Sequence, residues 1–139
     1  MGENAAVEKK HEPFEHTFSM TVKVDGFWVE YLTRFSDVFG RGYAGYWAYG
    51  AECDRELGWL VYEQSDDPRP NQTTVCAVER VWRAGKALPP RWYRLDRAAA
   101  LRAWEEGIKR WGADWYEQTD STREDVVIQL ALLGEIRYG

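Results

Sequence analysis

The sequence predicts an α+β fold: a small, mainly antiparallel sheet packed against three or four helices in a single domain. Three observations predict it. Short apolar segments bounded by turn residues, such as Gly58 to Glu63, read as strands. A long segment with Leu101, Trp104, Ile108 and Trp111 at helical spacing reads as an amphipathic helix. The chain has 139 residues, 45% of them apolar and 29% charged, which is enough for one hydrophobic core. Size scaling gives burial of about two-thirds of the unfolded surface, so the core needs no metal or disulfide staple.

Residues 1–15 are polar, contain Pro13 and show no periodicity, and are expected to form a flexible tail before a domain spanning 16–139. Phe18, Met20, Val22 and Val24 alternate with polar residues and predict a half-buried strand. Two readings compete at Asp25-Gly26. A two-residue hairpin turn would pair Val24 with Phe27, Val22 with Val29 and Met20 with Tyr31. A helix over 27–38, capped near Asp25, would instead place Trp28, Tyr31, Leu32, Phe35, Val38 and Phe39 on one face. Local propensity leans toward the strand. Gly40-Arg41-Gly42 breaks the pattern, and a strand is expected near 45–52, where small residues between aromatic rings suit close backbone packing. A turn through Asp54-Arg55 leads to a second strand over 58–63, and residues 65–72 form a loop.

Residues 73–84 predict a helix with Val75, Val78, Val81 and Trp82 inward and Gly85 at its end. A short edge strand is expected over 91–95. Asp96 caps the next helix, which Gly112 ends. Ser121-Thr122-Arg123-Glu124 is a capping-box pattern that opens a helix over 126–133, apolar nearly all round and therefore central. Gly134 stops it, and residues 135–138 are expected to return as a strand.

Composition narrows the classes of function. No apolar run approaches the length of a membrane span, and the first sixteen residues lack the apolar core of a secretory signal. The net charge of −5 is uneven: residues 1–69 carry 7 basic and 13 acidic groups, and residues 70–139 carry 11 and 10. The overall sign argues against duplex DNA as a partner, which needs clustered cations. The two cysteines, Cys53 and Cys76, suit free thiols in a reducing cytosol, with a bridge between them left open. Eight Trp, eight Tyr and five Phe make 15% of the chain, enough to fill a core and also to offer stacking surfaces to a ligand or partner.

Familiar catalytic signatures are missing. His11 and His16 stand five apart around Pro13, whereas a zinc helix needs two histidines four apart. Two lone cysteines supply no zinc ligand pair, and no nucleophile elbow, phosphate loop or dinucleotide fingerprint occurs. No metal, cofactor or catalytic residue is therefore assigned. Glu52 and Asp54 are the carboxylates an alternative enzyme acting on nucleotides or nucleic acid would use, with Mg²⁺. The strongest positive signal lies between Arg80 and Arg97. Arg80, Arg83, Arg91 and Arg94 stand among Trp82, Trp92 and Tyr93, a mixture that suits phosphates or carboxylates together with flat rings. Tyr43, Tyr46 and Trp47 form a second aromatic group. The expected ligand- or partner-binding set is Arg80, Arg83, Arg91, Arg94, Tyr43, Tyr46, Trp47 and Trp92. A charged, solvated face and a tightly packed strand are the plainer explanations of the two groups.

Three segments resemble small tailed-phage and prophage proteins. They are the Gly-rich turn and Tyr-Trp pair from Gly42 to Trp47, the run Trp92-Tyr93-Arg94-Leu95-Asp96 before an amphipathic helix, and the C-terminal run from Asp125 through Ala131-Leu132-Leu133-Gly134-Glu135-Ile136-Arg137-Tyr138-Gly139. The resemblance implies the helix reading for residues 27–38. It also implies a phage-encoded, non-enzymatic accessory protein acting in the cytoplasm of an infected host cell. Its partner would be a host defence protein or a small nucleotide signal, with no membrane or duplex DNA involved. A structural phage protein whose aromatics form a homo-oligomer interface is the remaining alternative.

Overall fold

Among the described residues, a three-stranded antiparallel sheet, in the order β1-β2-β3, separates one helix on one face from three on the other. The computed structural model describes residues 13–17, 21–34, 38–39, 44–52, 58–64 and 69–139. Among them are helices α1 (Gly26–Arg34), α2 (Gln72–Arg83), α3 (Arg97–Trp111) and α4 (Ser121–Leu133), with strands β1 (Ala48–Glu52), β2 (Trp59–Glu63) and β3 (Trp92–Leu95). The α+β expectation therefore holds, with four helices and an antiparallel sheet among the described residues.

The helix reading wins after Asp25. The Asp25 carboxylate accepts from the Phe27 N–H at 2.9 Å, and its carbonyl accepts from the Trp28 N–H at 3.1 Å, so both ends of this residue start α1. Residues 21–24 are not a strand, and 18–20 lie outside the described residues. The reason is partnership: α1 takes up the segment the hairpin needed as its second strand, and Val22 is left 45% exposed. Trp28 and Leu32 enter the core one helical turn apart, followed by Val38 and Phe39.

The strand at 45–52 begins only at Ala48, because residues 44–47 form a turn closed by the Ala48 N–H on the Ala44 carbonyl at 3.1 Å. Gly50 sits where a side chain would strike the Phe39 ring at 2.7 Å, the close approach its small size permits. β2 is buried on both sides, as a central strand should be. Its pairing puts Trp59, Val61 and Glu63 on one sheet face with Leu95 and Tyr93, and Leu60 and Tyr62 on the other with Trp92 and Arg94. The first face meets α1, α3 and α4. The second, with Ala51, meets Val75 and Val78 of α2.

Helix ends follow local chemistry with small shifts from expectation. Asn71 caps α2 through the Thr74 N–H at 2.9 Å, so the helix begins at Gln72. Asp96 caps α3 as expected, through the Ala99 N–H at 2.9 Å. The helix expected over 126–133 already begins at Ser121 as α4, and its cap is Asp120, whose carboxylate reaches the Arg123 N–H at 2.9 Å. Gly134, at φ 78°, ends α4 in the left-handed conformation. The edge strand starts at Trp92.

Two expectations need correction. The buried face of α3 is Ala99, Ala100, Ala103, Trp104 and Gly107, while Leu101 is 38% exposed. Small residues win because bulk arrives from elsewhere. Trp28, Trp104 and Trp115 meet at centroid distances of 5.2–6.2 Å. Trp115 itself sits in a 3-10 turn (Trp115–Gln118), against the bare backbone of Gly107. Residues 135–138 do not form a strand. Their backbone pairs with the side chain of Gln129, which takes the place a neighbouring strand would have filled.

Candidate functional site

Two polar constructions stand out, and they have different characters. The first surrounds Glu63, which is 4% exposed although its position in β2 shares the parity of Trp59 and Val61. A buried carboxylate must be matched to persist. Arg137 Nη1 donates to both Glu63 oxygens at 2.8 and 2.7 Å. Tyr93 Oη donates at 3.1 Å, and Tyr138 Oη donates to Oε2. Burial works to raise the Glu63 pKa, but the hydrogen bonds from Tyr138, Arg137 and Tyr93 outweigh it and hold the carboxyl below its ordinary range. The same carboxylate, with burial acting first, raises the Tyr93 phenol.

Gln129 continues this construction. It is fully buried in α4, the single polar exception among that helix's buried residues. Its Oε1 accepts from the Arg137 and Tyr138 N–H groups, each at 2.9 Å. Its Nε2 donates to the Tyr138 carbonyl at 3.1 Å and to Asp125 Oδ1 at 3.2 Å. Asp125 also accepts from the Trp47 indole at 2.8 Å and from the Tyr46 hydroxyl. Burial, the bond to Asp125 and the Asp125 charge push the Tyr46 pKa up to about 12. Trp47 lies flat against Tyr138, with centroids 5.7 Å apart and planes 7° apart. Every group here is turned toward another protein group, so the construction straps residues 135–139 to the sheet.

The second construction is open. A groove of about 390 Å³ is lined by Ala87, Leu88, Trp92, Tyr93, Arg94, Asp96, Arg102 and Leu132. Its floor contains three consecutive residues of β3, whose side chains alternate between the two sheet faces. The groove therefore runs along the edge of β3 that no strand among the described residues pairs. The connector before β3 forms one wall, and α3 and α4 form the other. Arg94 crosses to the connector, where Nη2 donates to the Lys86 carbonyl at 2.6 Å and the guanidinium lies 5.9 Å from the Trp82 ring. Its Nε–H is buried without an acceptor. Neither Arg94 nor Arg102 is paired with a carboxylate among the described residues. Asp96, the one acid on the lining, spends Oδ1 on the cap of α3.

The sequence-predicted site residues divide between these places. Arg94 and Trp92 meet at the groove, though Trp92 is only 8% exposed and packs on Tyr62 at 5.0 Å. Arg91 precedes β3 at φ 72°, with its guanidinium 6.0 Å from the Tyr62 ring. Arg80 and Arg83 occupy the last turn of α2, where cations suit the helix dipole, and Arg83 reaches Glu79 at 3.5 Å. Tyr46 and Trp47 turn to Asp125, and Trp47 belongs to the core on the sheet face opposite Trp92. Trp47 and Trp92 thus serve different layers. Tyr43, Cys53 and Asp54 lie outside the described residues, as does the side chain of Glu52. Cys76 is a free, half-buried thiol.

Arg102, Glu63, Gln129 and Arg137 were not singled out from sequence. Glu63 carried a signal, an acid at an inward position of an apolar strand, and Gln129 carried one as the lone amide of an apolar helix. Arg102 carried none, being one exposed cation of a helix with several. No helix among the described residues is long and apolar enough to cross a membrane. Comparison with family models, curated proteins and solved structures finds no match for this chain.

Proposed function

We propose that this is a non-enzymatic accessory protein that works by binding a protein partner through the groove beside β3. The open cationic edge carries the reading: among the described residues, Arg94 and Arg102 face the groove unmatched by carboxylates, next to a strand edge that no other strand pairs. Elsewhere a buried charge is matched internally, as Glu63 is by the exposed Arg137. Cations left unmatched on a shaped surface provide steering and specificity for an acidic partner. The resemblance to tailed-phage proteins supplies the setting, in which that partner is a component of host defence.

The test has two parts. Native mass spectrometry of freshly purified protein is expected to show the chain without a bound small molecule. An adduct of a few hundred daltons, released on denaturation, would replace this reading with sequestration of a nucleotide. Photo-crosslinking from position 87 in host extract is expected to trap one protein of defined mass. The Arg102→Glu variant should trap it at least tenfold less while melting at the same temperature. Equal trapping by that variant would remove the groove from the function.

A further inference from the structure

The geometry points to β-strand addition: we propose that the partner supplies an extended acidic segment that lies along β3 as a fourth strand of the sheet. This deepens the partner-binding reading and rests on it.

The backbone carries the first half of the argument. The Glu63 N–H donates to the Arg91 carbonyl at 2.8 Å, which fixes the phase of the β2–β3 ladder. In an antiparallel pair, alternate residues turn their N–H and C=O toward the neighbour, and those between turn them away. Arg91, Tyr93 and Leu95 therefore face β2, while Trp92 and Arg94 face outward. The Trp92 N–H is taken by the Pro89 carbonyl at 3.2 Å. The Trp92 carbonyl and both polar groups of Arg94 have no backbone partner among the described residues. These are the groups an added strand pairs with.

Charge selects the occupant. Arg94 projects from the α2 face of β3, and Arg102 stands on α3 against the other face, so cations border the edge from both sides. Side chains of a strand alternate between the same two sides. Two consecutive acidic residues would meet one cation each, and flanking β-branched residues would lie against Leu88 and Leu132. The buried Nε–H of Arg94 leaves this guanidinium short of one acceptor, which a nearby carboxylate would answer by drawing the side chain toward the edge.

The probe is a fluorescein-labelled peptide, Thr-Val-Glu-Glu-Val-Thr-Val, read by anisotropy with the full chain. Saturable binding is expected, at least tenfold weaker with Lys-Lys replacing Glu-Glu. It should be at least tenfold weaker again when the two Glu amides are N-methylated, since that removes the one Glu amide that faces β3 and leaves the charge. Arg102→Glu should weaken binding at least tenfold. Hydrogen exchange at the Arg94 amide should slow when the peptide is bound. Unchanged affinity of the N-methylated or Lys-Lys peptide, or no saturable binding, overturns strand addition. If crosslinking in host extract still depends on Arg102 while the peptides fail, the partner-binding reading stands without this geometry. If crosslinking is indifferent to Arg102, that reading falls whatever the peptides do.

Discussion

Glu63 shows how one residue can be costly and still organise its surroundings. A carboxylate 4% exposed survives because Arg137, Tyr138 and Tyr93 together occupy its two oxygens. Glu63→Gln keeps the shape and removes the charge, so charge-assisted hydrogen bonds become neutral ones. The expected loss is about 2 kcal/mol in urea unfolding at pH 7. Because the folded-state pKa is lowered, the unfolded chain binds this proton more readily. The stabilisation is present above the ordinary carboxylate range and is lost as pH falls through the folded value. The gap between wild type and Glu63→Gln should therefore narrow at pH 3, and a gap that widened there would contradict this account. The site was less legible at this scale than the fold. Periodicity gave Glu63 its side of the strand, but which distant residues answer it depends on tertiary placement: Arg137 lies 74 positions away.

Among the elements, α3 best separates propensity from packing. Gly107 is a poor helix former, and Gly→Ala in a helix interior ordinarily stabilises by about 0.5–1 kcal/mol. Here an added Cβ would lie 2.2 Å from the Trp115 ring, which is held by Trp28 and Trp104. Gly107→Ala should lower the melting temperature, with a net cost of about 1–3 kcal/mol. A rise in melting temperature would mean that the ring yields easily. This explains why the inward face of α3 was misjudged from sequence. Spacing alone favoured Leu101 and Ile108, whereas the tryptophan cluster demands small neighbours. The caps at Asn71, Asp96 and Asp120 are local chemistry, so helix starts were readable to within a few residues. The segment after Gly134 was not, because a side-chain amide does the work of a strand there.

For the whole molecule, the sheet separates tasks. One face holds the large core and the strapped segment, the other holds α2, and the edge of β3 that no described strand pairs lies between them. Fold class was legible because alternation and helical period together predict layers. The groove was half legible: the Arg-aromatic run located its β3 wall, while Arg102 came from another element. The strap also has a consequence in time. Its longest-range bonds join residues 74–79 positions apart, from Tyr46 with Asp125 to Glu63 with Arg137. Closing such long loops costs chain entropy before any contact repays it, so these bonds should form on the native side of the folding barrier. Glu63→Gln should then leave the refolding limb of the chevron unchanged within about twofold, and speed unfolding by about tenfold or more. Slower refolding would place the strap inside the nucleus. Late formation makes it a brake on the molecule's undoing, a lock whose strength is read in the lifetime of the folded state.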